Sequence, residues 1–150
     1  MILIINICKE KLHFYEFVKP IENIIKKSGF KFETKHYSRL PKNLNKYNKI
    51  IISGTSLKDN DFIEHLDKFE FIKNYKKPIL GICGGMQVIG LLNDEKLTNK
   101  KQIGLIDNKY HLHNFALKGV GNEIKIGRQK GYLFHPEVRN KNLILDFAKL

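Results

Sequence analysis

The stretch that most constrains this chain is Pro78 to Gly90, which reads P-I-L-G-I-C-G-G-M-Q-V-I-G. Ile79 to Ile82 is an apolar run with Gly81 inside it, long enough only for a buried strand. It ends on Cys83, with Gly81 and Gly85 two residues to either side, and Met86 to Leu92 predicts a helix. Strand, nucleophile-type residue between close glycines, then helix is the pattern of a nucleophile elbow, written here G-x-C-x-G. The turn is tight, so a Cβ at either flanking position would collide with the neighbouring strand or helix. The turn also sets a thiol at a helix N-terminus, where N–H groups and the helix dipole favour a thiolate. The same N–H groups can hold a developing oxyanion. Taken alone, the pattern also fits a small buried cysteine without chemistry, the lesser of the two readings.

A cysteine nucleophile needs a base and a third group that orients the base. Tyr132-Leu133-Phe134-His135-Pro136-Glu137 supplies candidates for both. A strand over Gly131 to Phe134 runs into His135, and extended geometry puts Glu137, two residues on, on the same side. Pro136 biases His135 towards that geometry.

G-I-C-G-G-M-Q followed by F-H-P-E-V resembles the class I (triad) glutamine amidotransferases, and the resemblance runs from the first strand to the last helix. It implies a flavodoxin-like α/β fold: a mostly parallel open sheet with helices on both faces. It further implies that Cys83 is the nucleophile, His135 the general base and acid, and Glu137 its orienting partner. Gln87 would help bind the glutamine substrate. The turn after the third strand, Gly54-Thr55-Ser56, would give one oxyanion donor from Gly54 or Thr55, and Gly84 the other; the family more often has a second glycine at Thr55. His113-Asn114-Phe115 matches a strand that borders the glutamine pocket. The implied reaction is attack of Cys83 on the side-chain amide, release of ammonia, and hydrolysis of the thioester by water that His135 activates. It needs no metal and no organic cofactor. Such chains pass ammonia to a synthetase, here a separate protein. Asn6-Ile7-Cys8-Lys9-Glu10 matches none of the start motifs of the guanylate, anthranilate, imidazole-glycerol-phosphate or carbamoyl-phosphate branches, which leaves a guanylate-synthase-like acceptor as a guess. A stand-alone γ-glutamyl amide hydrolase and a shortened, non-catalytic binding relative are the alternatives.

His113 follows Cys83 by 30 positions and precedes His135 by 22. Both intervals are longer in the resembled family, which implies a thinner pocket wall here, weak or undetectable glutaminase activity in isolation, and a pocket completed by a partner surface or a second copy. His111-Leu112-His113 puts two imidazoles on one strand face, a weak metal pattern without a nearby Cys, Asp or Glu.

With 150 residues and 42% hydrophobic content the chain reads as one domain spanning 1–150 with its own core. No apolar run is long enough to span a bilayer, and Met1 to Ile7 reads as a strand rather than a signal peptide. Two cysteines, Cys8 and Cys83, suit a reducing cytoplasm, with Cys8 as a buried or rim cysteine without a role. The net charge of +12, from 27 basic and 15 acidic residues, is spread over scattered lysines. Without an Arg cluster or an RNA-binding signature it reads as a solvated surface rather than a nucleic-acid face.

Along the chain, Ile2 to Ile7 predicts a strand covered on both faces. A helix starts near Lys19, with Phe17, Ile21, Ile24 and Ile25 on one stripe, and ends at Ser28-Gly29. Strands follow at Lys31 to Tyr37 and Lys49 to Ser53, then a helix over Phe62, Leu66, Phe69 and Ile72. After the elbow, short strands at Lys101 to Ile106, Lys109 to Leu117, Glu123 to Ile126 and Gly131 to Phe134 read as antiparallel pieces finishing the sheet. Asn140 is placed as the N-cap of a last helix with Leu143, Phe147 and Leu150 on its face. This alternation means βαβ units, with active groups beyond the C-terminal strand ends.

Overall fold

The structure, a computed structural model, describes residues 1–150. Strands β1 (Ile2–Asn6), β2 (Phe32–His36), β3 (Lys49–Ile52), β4 (Ile79–Ile82), β7 (Glu123–Ile126) and β8 (Gln129–Tyr132) form one sheet in the order β2-β1-β3-β4-β8-β7. Every neighbouring pair is parallel except β7 and β8, so β7 is an antiparallel edge. The remaining strands, β5 (Leu97–Ile106) and β6 (Lys109–Leu117), do not finish this sheet. They pair only with each other, as a two-stranded antiparallel hairpin.

The continuous apolar strands follow from burial on both faces. In β1, Ile2 and Ile4 pack with Phe17, Val18, Ile21, Ile144 and Phe147 of the first and last helices. Leu3 and Ile5 face the other way, onto Phe62, Phe69, Met86 and Ile89. Each fully buried Ile or Leu contributes about 1.5–3 kcal/mol through removal from water. Such runs therefore fix which strands are central.

The first helical stretch begins earlier than the stripe of apolar residues suggests. Lys11–His13 leads into a π turn, Phe14–Val18, and then into the α-helix Lys19–Lys27. The Lys19 N–H donates to Phe14 O across the wide turn. Pro20 has no N–H to continue the ladder, and a π turn just before it lets the helix run through. The segment before β4 is also different from expectation. Asp61–Lys73 is 3₁₀ helix broken at His65 (φ −126°, ψ 37°), with Phe62, Phe69 and Ile72 buried. In the last helix, Lys141–Ala148, the buried face is Ile144, Phe147 and Ala148, while Leu150 lies past the end and is exposed. Asn140 occupies the N-cap position, but its side chain makes no capping hydrogen bond. No helix is long and apolar enough to cross a membrane.

Candidate active site

Cys83 stands between β4 and the helix Gly84–Leu92 with φ 50° and ψ −101°, a left-handed backbone that a cysteine adopts only under constraint. The flanking glycines supply that constraint. A Cβ on Gly81 would lie 2.5 Å from the Gly85 backbone, and one on Gly85 would lie 2.3 Å from Ile52 O. Strand and helix approach so closely that only glycine fits at either position.

His135 follows β8, which ends two residues earlier than the sequence suggests, at Tyr132. Leu133 and Phe134 are fully buried core residues without being strand. The Glu137 carboxylate reaches the imidazole within a turn, closed by Val138 N–H to His135 O and Asn140 N–H to Pro136 O, rather than along an extended segment. His135 Nδ1 donates to Glu137 Oε1 at 2.8 Å, and both side chains are shut off from solvent. Burial alone disfavours the imidazolium, but the Glu137 carboxylate and the Cys83 sulfur outweigh it and hold the His135 pKa well above its ordinary value. Phe17, delivered by the π turn, packs its ring 5.2 Å from that of His135.

The hairpin closes the site from above. Leu112 O accepts from Cys83 Sγ at 3.6 Å and lies 3.4 Å from His135 Nε2, so one carbonyl faces both reactive atoms. His135 N–H donates to Tyr110 O at 2.7 Å. Gln87 Nε2 donates to Phe115 O at 3.0 Å, and Asn114 Nδ2 donates to Leu57 O at 2.8 Å. The cavity left beside Cys83 has a volume of about 10 Å³, lined among others by Thr55, Gly84, Gln87, His113 and Asn114. That is room for about one water molecule. With these short intervals around His113, the hairpin lies directly over the thiol.

Gly54 sits in the angle between the two reactive residues. A Cβ there would meet His135 Cε1 at 2.6 Å and Cys83 Cβ at 3.2 Å. None of the Gly54, Thr55 and Gly84 N–H groups has an acceptor in the chain, and Thr55 and Gly84 line the small cavity with Cys83. N–H groups without an acceptor beside a thiol are available to an oxyanion. Thr55 is held by its hydroxyl, which donates to Asp59 Oδ2 at 3.0 Å. Asp59 also accepts from Lys9 N–H, Glu10 N–H and His13 Nδ1. It thereby ties the loop after β1 to the turn after β3. At sequence level Asp59 carries only the signal of an acidic residue before a helix. Cys8 Sγ donates to Gly54 O at 3.7 Å, and burial pushes its pKa up to about 12, so it is a protonated prop rather than a second nucleophile.

The predicted substrate strand is occupied by internal contacts. His113 Nδ1 donates to Lys100 O at 2.9 Å, and its Nε2 lies 3.1 Å from His111 Nδ1. Burial, with the charges of His111 and His135, pushes the His113 pKa down to about 4. The two imidazoles bond each other rather than converging on an open coordination position. Phe115 contributes its carbonyl to Gln87.

Comparison with known proteins bears on the family and the fold. Imidazole glycerol phosphate synthase subunit HisH 2 of Campylobacter jejuni is 38% identical over 72 residues, 47% of this chain and 36% of that protein. The corresponding HisH protein of Vibrio cholerae is 36% identical over 63 residues, 39% of this chain and 31% of that protein. The matches thus span about a third of the length of these relatives. A Thermoplasma acidophilum structure described as a GMP synthase subunit superposes with a TM-score of 0.81 at 15% identity, covering 99% of this chain and 92% of that one. A glutamine amidotransferase of Thermotoga maritima gives 0.65 at 15% identity, covering 91% and 76%. At such identities the likeness is one of fold. Residues 12–149 match the family described as glutamine amidotransferase class-I, nearly the whole chain. With the elbow, the strand order and that match in agreement, the chain belongs to the class-I glutamine amidotransferases.

Proposed function

We propose that the protein hydrolyses the side-chain amide of glutamine through Cys83, His135 and Glu137 and supplies the ammonia to a separate synthetase. The observation that carries this reading is the fully buried His135–Glu137 pair at 2.8 Å beside the strained Cys83 elbow. Burying a paired imidazole and carboxylate costs several kcal/mol of desolvation, roughly, which a purely structural core would avoid. In the mechanism Cys83 passes its thiol proton to His135 Nε2 as the sulfur attacks the amide carbon, and the Thr55 and Gly84 N–H groups receive the oxyanion. His135 Nε2 protonates departing ammonia, and then takes a proton from the water that cleaves the thioester. Glu137 keeps Nδ1 protonated throughout and stabilises the imidazolium.

A cavity of about 10 Å³ does not admit a glutamine side chain. Substrate entry requires Leu112 O to withdraw from Cys83 and His135, and with it the hairpin β5–β6. A synthetase that engages the hairpin would couple ammonia release to its own readiness. The HisH names of the relatives and the GMP synthase name of a structural neighbour support a synthetase partner without selecting one. The test is glutamate release by purified protein, with and without the partner recovered from native extract. Activity rising on addition of the partner and abolished by Cys83→Ala is expected. Equal activity in the Cys83→Ala variant would overturn the assignment.

A further inference from the structure

The opposite edge of the sheet, away from Cys83, carries a second cavity of about 540 Å³. It opens where β3 and β4 begin and where the β7–β8 turn passes the end of the last helix. Its wall includes Lys49, Lys125, Arg128 and Lys130, and no acidic residue lines it. Phe147 and Pro78 give it an apolar side. Lys49 is only 6% exposed. None of the ion pairs of the chain involves Lys49, Lys125 or Arg128, and none of their side chains makes a hydrogen bond within it. The Lys49 stem accounts for that low exposure, while its ammonium still reaches solvent at the cavity. Lys125 and Lys130 are also direct cross-strand partners, a like-charge pairing that weakens a sheet. Lys130 Nζ rests 5.2 Å from the Tyr132 ring centroid, which keeps it at the rim. Four cations, two of them cross-strand partners, thus ring one concavity that holds no acidic side chain, a concentration of positive charge that attracts an anion.

We propose that this cavity binds a phosphorylated small molecule of mononucleotide size, with its phosphates on Lys49, Lys125 and Arg128 and its apolar part against Pro78 and Leu150. The volume lies within the range of roughly 300–1,000 Å³ typical of small-molecule sites, well above what one inorganic anion fills. It shares no lining residue with the cavity beside Cys83, which makes it a site separate from glutamine hydrolysis.

Calorimetric titration of the full chain at near-physiological salt tests this, with ATP, AMP, inorganic pyrophosphate and a short single-stranded RNA as probes. Saturable one-to-one binding of a nucleotide is expected, at least tenfold tighter than pyrophosphate. Lys125→Gln with Arg128→Gln, both exposed positions, should weaken it at least tenfold. Lys49→Met should do the same if the variant folds, and Lys26→Gln with Lys27→Gln, elsewhere on the surface, should change it less than twofold. The proposal fails if no nucleotide saturates below 1 mM, roughly the weak end of specific binding. It also fails if pyrophosphate binds as tightly as nucleotide, if RNA binds and the mononucleotides do not, or if the Lys26 and Lys27 replacements weaken binding as much as those at the cavity.

Discussion

Replacing Gln87 and Asn114 by alanine removes the two side-chain hydrogen bonds that hold β6 down over the thiol, to Phe115 O at 3.0 Å and to Leu57 O at 2.8 Å. Each such bond contributes about 0.5–1.5 kcal/mol net, so the pair holds the closed hairpin by roughly 1–3 kcal/mol. Loss of both should raise the open fraction by about 5- to 150-fold, since 1.4 kcal/mol is about a factor of ten. The Tyr110 O and β5 pairings remain, so the chain stays folded. The readout is the rate at which iodoacetamide alkylates Cys83 under native conditions, in a Cys8→Ser background that removes the only other thiol. Local opening is distinguished from global unfolding by a rate that stays flat in low urea, because little surface is exposed. A double variant whose alkylation rate stays within twofold of its parent would refute the reasoning. Leu112 would then not gate the thiol.

Three further outcomes follow from the same structure. Gly85→Ala should destabilise the fold by about 3 kcal/mol, since its Cβ meets Ile52 O at 2.3 Å, whereas Gly29→Ala, in open space at φ 80°, should cost about 1 kcal/mol; denaturant midpoints compare the two. His113 titrates near 6.5 when unfolded and near 4 in place, so the unfolded chain binds the extra proton between those values and stability falls as pH drops through that window. The loss is no more than roughly 3 kcal/mol, and His113→Gln should flatten that part of the stability–pH curve. Glu137→Gln should lower partner-stimulated glutaminase turnover by roughly 10³–10⁴-fold, and adding it to His135→Ala should make that variant little worse, because the two residues act as one unit.

The parts of the structure that were legible in the sequence are those where one residue type is forced. Ile2 to Ile5 and Ile79 to Ile82 are apolar throughout because both faces are covered, and that reads directly as central strands. Gly81 and Gly85 are glycine because backbone meets backbone there, so the elbow and Cys83 could be found from spacing alone. His135 and Glu137 were identifiable as a pair, although the turn that joins them was not, since Leu133 and Phe134 look the same in a core as in a strand. Other features left no residue signature. Leu112 closes the site with a carbonyl, a group every residue carries. The hairpin's separation from the main sheet depends on tertiary docking through Gln87 and Asn114. The π turn before Pro20 required seeing which carbonyl the lost N–H would have met. Asp59 looks like any acidic residue at a helix start until its four donors are in view.

The most direct test of the central claim is peptide mass spectrometry after long incubation of the protein with an electrophilic glutamine analogue, with and without excess glutamine. The expected result is a single adduct on Cys83, slowed by glutamine, absent in Cys83→Ser and strongly reduced in His135→Ala. An adduct on Cys8, or labelling of Cys83 that glutamine does not slow and His135→Ala does not reduce, would contradict it.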